Sequence, residues 1–166
     1  MGGFQLQFDH SLFDRIAAAL TNFDPTDVGR NIGEQLRTET IFRFQRGESP
    51  KGEKWPESAR VKAQGGQTLV NSAALRNSIT YQVDQESIRL GTDLIYGPIH
   101  QYGGVIRAKN APRLVFNIPG VGVRSSEEVK IPRRQFIPDP EDISDAELHR
   151  IADMVIKALV DQIGRA

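Results

Sequence analysis

The segment from Leu148 to Ile163 limits the fold most. Leu148, Ile151, Ala152, Val155, Ile156, Leu159, Val160 and Ile163 recur in alternating steps of three and four residues. That period lays one apolar stripe along a helix. Ser144-Asp145-Ala146-Glu147 stands just ahead of it, with the spacing of a capping box in which the glutamate reaches back to the cap N–H. Gly164 supplies a stop. A helix with one long apolar face must bury it against another layer, so the remainder of the chain has to provide that layer.

The remainder reads as helices followed by short strands. Asp24-Pro25 opens a helix, with Asp24 as cap and Pro25 at a first position that needs no N–H. Val28, Ile32 and Leu36 line one face, Ile41, Phe42 and Phe44 continue it, and Gly47 ends it. Gly33 inside this helix costs about 1 kcal/mol relative to alanine. Earlier, Phe4, Leu6 and Phe8 alternate as in a strand, and Leu12, Ile16, Ala19, Leu20 and Phe23 have helical spacing. Residues 47–71, punctuated by glycine and proline, read as a long loop. Ser72 to Asn77 forms a helical turn or two. Ile79, Tyr81 and Val83, linked through Asp84-Gln85-Glu86 to Ile88 and Leu90, predict a β-hairpin. Val105-Ile106 and Leu114 to Ile118 predict further strands. Beyond the Pro119–Gly122 turn, Val121, Val123, Val129 and Ile131 form a return arm interrupted at 125–128, so residues 119–131 read as a hairpin arm. The expectation is one α+β domain over 1–166: a mainly antiparallel sheet packed against N-terminal helices and the C-terminal helix. Ile151, Val155, Leu159 and Ile163 would face that sheet.

No catalytic constellation emerges. The chain has no cysteine, which removes disulfide frameworks, thiolate nucleophiles and cysteine-based zinc sites, and fits a reducing compartment. Of three histidines, His10 sits at a strand-to-helix turn and His149 on the C-terminal helix. His100 lies in Tyr96-Gly97-Pro98-Ile99-His100-Gln101-Tyr102-Gly103-Gly104. Neither a Gly-x-Ser-x-Gly elbow nor a His-Glu-x-x-His helix accompanies them, so His100 reads as structural. No phosphate-binding loop is present, and Gly120-Val121-Gly122 is not followed by a helix pattern. Asp139, Glu141, Asp142 and Asp145 resemble a cation loop only loosely, because Pro138 and Pro140 interrupt them. They suit the start of a helix better. Neither metal nor cofactor is expected. No run reaches the roughly 18 apolar residues of a membrane span, and no secretory leader is visible. Met1-Gly2 lacks the Ser or Thr that myristoylation wants, since Leu6 stands there. A soluble intracellular protein is the default.

Charge cancels overall, with 21 basic and 21 acidic residues. It is nonetheless segregated. Residues 105–135 hold seven basic against two acidic residues, a net +5, and residues 136–153 hold one against six, a net −5. Solvated loops are one reading. A second pairs the basic flank of one copy, through Arg133 and Arg134, with the acidic flank of the next, through Glu141 and Asp142. DNA contact by the basic stretch is a third, disfavoured by the neutral total.

Several segments resemble one family. Arg43-Phe44 followed by Ser49-Pro50-Lys51-Gly52-Glu53-Lys54-Trp55-Pro56 is similar to the helix end and Pro-Asp/Lys-Gly-x-x-Trp loop of the phage virion morphogenesis proteins. Those include the tail completion proteins of Mu- and P2-like contractile-tailed phages. Leu69 to Ile79 is similar to their Leu-x-x-Ser/Thr-Gly-x-Leu-x-x-Ser-Ile element, with Ala73 in place of the usual Gly and Leu75 matching. Leu90-Gly91-Thr92 and Tyr96 to Gly104 resemble the most specific stretch, Gly-Thr…Tyr-Ala-x-Ile-His-Gln-Phe-Gly-Gly, with Gly97 for Ala and Tyr102 for Phe. Pro132-Arg133-Arg134-Gln135-Phe136-Ile137 resembles Pro-Ala-Arg-Pro-Phe-Leu, departing at Arg133 and Gln135. The resemblance covers roughly residues 30 to 160 in order. It implies a non-enzymatic virion protein, assembled in the bacterial cytoplasm, that completes or caps the tail at its head-proximal end. It also implies a homo-oligomeric ring, a hexamer, whose partners are the tail tube and neck or connector proteins; a head-side connector ring is the alternative. Trp55, Leu75, Tyr96, His100, Gln101, Gly103 and Gly104 are the motif residues. Gly103-Gly104 would let the chain turn sharply into the strand at Val105, with His100 and Gln101 bonding the loop backbone. Trp55 would anchor in its own core or in a neighbour.

Overall fold

A computed structural model describes Ala17, Ala18, Thr21 and residues 25–84 and 87–165. The predicted strand at Phe4–Phe8, His10, the Asp24 cap and most of the predicted 12–23 helix lie outside the described residues. Ala17, Ala18 and Thr21 are helical within that last stretch.

Helix α1 (Pro25–Arg46) ends where the sequence places its stop. Gly47 has φ 64° and donates its N–H to the Arg43 carbonyl at 2.7 Å, a left-handed turn that glycine makes without strain. The helix lies against a hairpin of β1 (Thr80–Val83) and β2 (Ile88–Gly91), paired antiparallel with Tyr81 opposite Leu90 and Val83 opposite Ile88. Two buried glycines make the contact possible. A Cβ on Gly29 would come within 2.6 Å of Val83 Cγ1, and one on Gly33 would run into the Tyr81 ring. The helix gives up propensity at Gly33 so that an aromatic strand residue can lie on its backbone.

The loop read over 47–71 contains a helix, α2 (Ala59–Gln64), capped by Ser58, whose Oγ accepts from the Val61 N–H at 3.3 Å. Glycines on both sides had hidden this short element. Helix α3 (Ala74–Asn77) follows, with Ala73 ahead of it at φ 60°. An L-residue pays about 1–2 kcal/mol in that region, which explains physically why glycine is usual at this place in the resembling sequences. Helix α4 (Gly97–Tyr102) leads through Gly103 into β3 (Gly104–Arg107).

The predicted arm is longer than 119–131 and differently paired. Strands β4 (Leu114–Ile118) and β5 (Gly122–Ser126) form its outer hairpin, and β3 with β6 (Glu128–Ile131) forms its base. The polar Ser125-Ser126 does not break the strand. The interruption is Glu127 on one side against residues 108–113 on the other. Arg113 fastens this bulge, with Nε donating to Ser125 Oγ at 2.9 Å and the guanidinium 3.6 Å from Glu127.

The α+β class holds, and among the described residues every ladder is antiparallel, but the strands divide into three two-stranded ladders rather than one sheet. Helix α5 (Asp145–Arg165) begins with the expected capping box: Ser144 N–H donates to Glu147 Oε2 at 3.1 Å, and Glu147 N–H to Ser144 Oγ at 3.2 Å. Its packing corrects the expectation. α5 lies chiefly against α1 rather than across the strands. Ile151, Val155, Leu159 and Ile163 are half-buried, whereas Leu148, Ile156 and Val160 are 50–60% exposed.

The core gathers Phe44, Trp55, Leu75, Ile79 and Phe136 from widely separated segments. The Phe44 ring meets Trp55 edge-on at 5.4 Å and Phe136 at 5.2 Å, separations typical of favourable aromatic pairs.

Candidate functional site

The motif residues converge on a strap, residues 132–137, that crosses the end of α4. Trp55 lies 6% exposed in its own subunit's core and donates its indole N–H to the Gln135 carbonyl at 3.0 Å. That settles the anchor within the chain. Leu75 is buried beside it. Gly103 has φ 74°, and a Cβ there would stand 2.8 Å from the Arg133 backbone nitrogen. The glycine therefore serves the turn and also the close passage of the strap. Gly104, at φ 155°, completes the turn into β3.

Gln101 holds the strap. Its Oε1 accepts from the Phe136 and Ile137 N–H groups at 3.0 and 3.1 Å, and its Nε2 donates to the Ile137 carbonyl at 2.8 Å. The expectation that His100 and Gln101 bond their own loop is thus redirected to the strap, a segment more than 30 residues away. His100 joins in through its backbone carbonyl, which accepts the Arg134 N–H at 2.8 Å. Its ring Nδ1 is buried without a hydrogen-bond partner among the described residues, and the exposed Tyr96 ring stands edge-on at 6.2 Å. A catalytic histidine needs an orienting acid at that nitrogen; here none is bonded.

Burial, and secondarily the Arg134 charge, hold the His100 imidazole below its ordinary value of 6.5. Between that value and the lower folded one, the unfolded chain binds more protons. Stability is therefore undiminished above about pH 6.5 and falls as pH drops through the window below it. Thermal melts of the wild type and of His100→Phe at about pH 7.5 and 5.5 check this. The variant's melting temperature is expected to fall less on acidification, and an equal fall in both proteins would refute the assignment.

The proposed inter-subunit charges are placed differently from the sequence expectation. Arg134 is 5% exposed, and its Nε donates to the Pro56 carbonyl at 2.8 Å. Arg133 pairs within the subunit with Asp139 at 3.2 Å and donates to Gln135 Oε1 at 2.7 Å. Asp142 accepts from Gln135 Nε2 at 2.6 Å and pairs with Lys51 at 2.9 Å. Lys51 first, and Gln135 next, hold its carboxyl below the usual range. Sequence counting treats all four residues as surface charge. The fold pairs Arg133 and Asp142 within the subunit and buries Arg134 with no ion pair among the described residues, while Glu141 stays exposed, also without one. Arg107 and Arg113 are likewise paired, with Glu128 and Glu127.

Beside the strap, the inner face of the arm and α2 enclose a cleft of about 610 Å³, walled by Ile106, Leu114, Phe116 and Val129, with His100 and Arg134 also lining it. Neither residue identity nor spacing announced this cleft, because it depends on the pairing of β3 with β6. His149, on α5, bonds the Asp145 carbonyl through Nδ1. Among the described residues, no three His, Asp or Glu side chains are grouped as a metal would require, and no helix is long and apolar enough to cross a membrane.

No curated protein and no solved structure matches the chain. Residues 7–160 match the phage virion morphogenesis family. That range takes in the Trp55 loop, the α4 turn, the arm, the strap and most of α5, so the chain belongs to the phage virion morphogenesis family.

Proposed function

We propose that this protein completes the phage tail at its head-proximal end and supports head–tail joining as a homo-oligomeric ring, the hexamer that the family resemblance implies. Family membership gives the broader role, a structural part in virion morphogenesis. The observation that carries the finer reading is the arm of residues 104–131. Its outer hairpin leaves Val115 and Val123 about 70% exposed. Exposed valines on a projecting hairpin suit contact with a neighbouring copy or the tail tube. Pairing of Arg107, Arg113 and Arg133 with acids of the same subunit leaves Lys109, Arg124 and Lys130 as the exposed unpaired cations of this stretch among the described residues, so DNA contact, which needs cations free for phosphate, has fewer to draw on than the +5 suggests.

Electron microscopy of phage lacking the chain tests the proposal. Finished heads beside unjoined tails are expected, with joining restored by the wild-type chain and not by the folded Val115→Asp/Val123→Asp variant. Normally joined, infectious particles without the chain would sink the reading. Overlong tails would move its role to length termination, and defective heads to a head-side connector.

A further inference from the structure

Two surfaces of this chain lack partners, and each supplies what the other is missing. The first is the cleft under the arm. Ile106, Leu114, Phe116 and Val129 make its walls largely apolar, with Glu57, Arg60 and Lys130 also in the lining, and Arg134 there is a buried cation with no carboxylate, Glu57 included, within ion-pair distance among the described residues. One of its five N–H groups goes to the Pro56 carbonyl. A buried guanidinium normally has an anionic partner. His100, on the same cleft, has its unpartnered Nδ1.

The second surface lies on α5. Leu148, Ala152, Ile156 and Val160 repeat every fourth residue and are all exposed. They form one stripe about 18 Å long at 1.5 Å per residue, close to the roughly 17 Å of a five-residue strand such as β4. Asp153 borders the stripe, one turn from Ile156, and it too is exposed with no ion pair among the described residues. Asp161, about two turns further along the helix, is taken by Lys157 at 3.4 Å.

We propose that α5 of a second copy of this chain lies in the cleft, with its Leu148–Val160 stripe against the arm and its Asp153 carboxylate accepting from the Arg134 guanidinium. This rests on the ring reading above and names its interface. An amphipathic helix in an apolar groove is a recurrent recognition mode with anchors at this spacing. The contact is heterologous, cleft of one copy to helix of the next, and so propagates into a ring when the rotation closes. The neutral net charge of the chain lets identical copies approach.

The absence of native cysteine allows a direct test. Ile106→Cys on the cleft wall and Ile156→Cys on the stripe are both at exposed sites. The two full-length single variants are purified separately, mixed and oxidised. A disulfide-linked dimer is expected in the mixture and not from either variant alone. Adding Asp153→Asn to the Ile156→Cys chain should raise the concentration for half-maximal cross-linking about thirtyfold, the effect of removing one partner of a buried charged pair. Asp153 is exposed in the single chain, so this variant tests the contact and not the fold. Absence of the mixed dimer, its equal formation by one variant alone, or indifference to Asp153→Asn overturns the interface. Particle joining that still depends on the chain after such a result would leave the tail-completion reading standing with a different contact.

Discussion

Gln101→Leu is expected to remove about 3–6 kcal/mol of folding stability, read from urea unfolding. The substitution nearly preserves volume, so packing is not the cause. Gln101 is 6% exposed, and its amide answers three backbone groups of the strap: the Phe136 and Ile137 N–H and the Ile137 carbonyl. Leucine leaves all three without a partner. Each orphaned buried group costs about 1–3 kcal/mol, and half-buried Ile137 recovers part of that from water. Phe136 belongs to the aromatic core with Phe44 and Trp55, so loosening the strap also opens that cluster. Gln101→Glu should fall between: a carboxylate still accepts from the two N–H groups but cannot donate to the carbonyl. A loss below about 1 kcal/mol for Gln101→Leu would mean that the strap is held by the Trp55 and Arg134 bonds alone.

What could be read from the sequence follows the range of the interactions concerned. The ends of α1 and α5 were legible because Gly47 and the Ser144–Glu147 box act within one turn. The β1–β2 hairpin was legible because its partners are joined by a short link. The strap was not, because Gln101 meets Ile137 and Trp55 meets Gln135 across long loops, and no local pattern encodes such a pairing. The arm was half legible. The alternation in Leu114–Ile118 and the Pro119–Gly122 turn marked the outer hairpin, but the six-residue bulge opposite Glu127 shifts the register between the two ladders, and period-two reasoning cannot pass through it. Arg134 shows the limit of charge counting. It adds to the +5 of its segment as a surface cation would, while the fold buries it on the cleft, bonded to the Pro56 and His100 carbonyls. Gly33 looked like a weakness in α1 until Tyr81 was found against it.

Glu147→Ala should cost about 3–5 kcal/mol, the penalty for leaving a buried cation unpaired. Arg43, on α1, is 4% exposed and reaches Glu147 Oε1 at 3.2 Å through Nη2, with Nη1 3.3 Å from Thr40 Oγ1. Burial lowers the Arg43 value from its ordinary range, and Glu147 is the largest influence opposing that shift. The other oxygen of the same carboxylate accepts the Ser144 N–H and hydroxyl. One side chain thus caps α5 and fastens it to α1, and it does so where α5 has no fully buried apolar residue to hold it. Two further variants separate the roles. Glu147→Gln keeps a cap acceptor and loses the charge, so most of the loss should remain. Arg43→Met with Glu147→Leu removes both charges, and the pair should recover much of the stability lost by Glu147→Ala, since a well-packed apolar pair can replace a buried ion pair without net cost. Equal stability of Glu147→Gln and the wild type would assign the effect to the cap and leave Arg43 neutralised by another route.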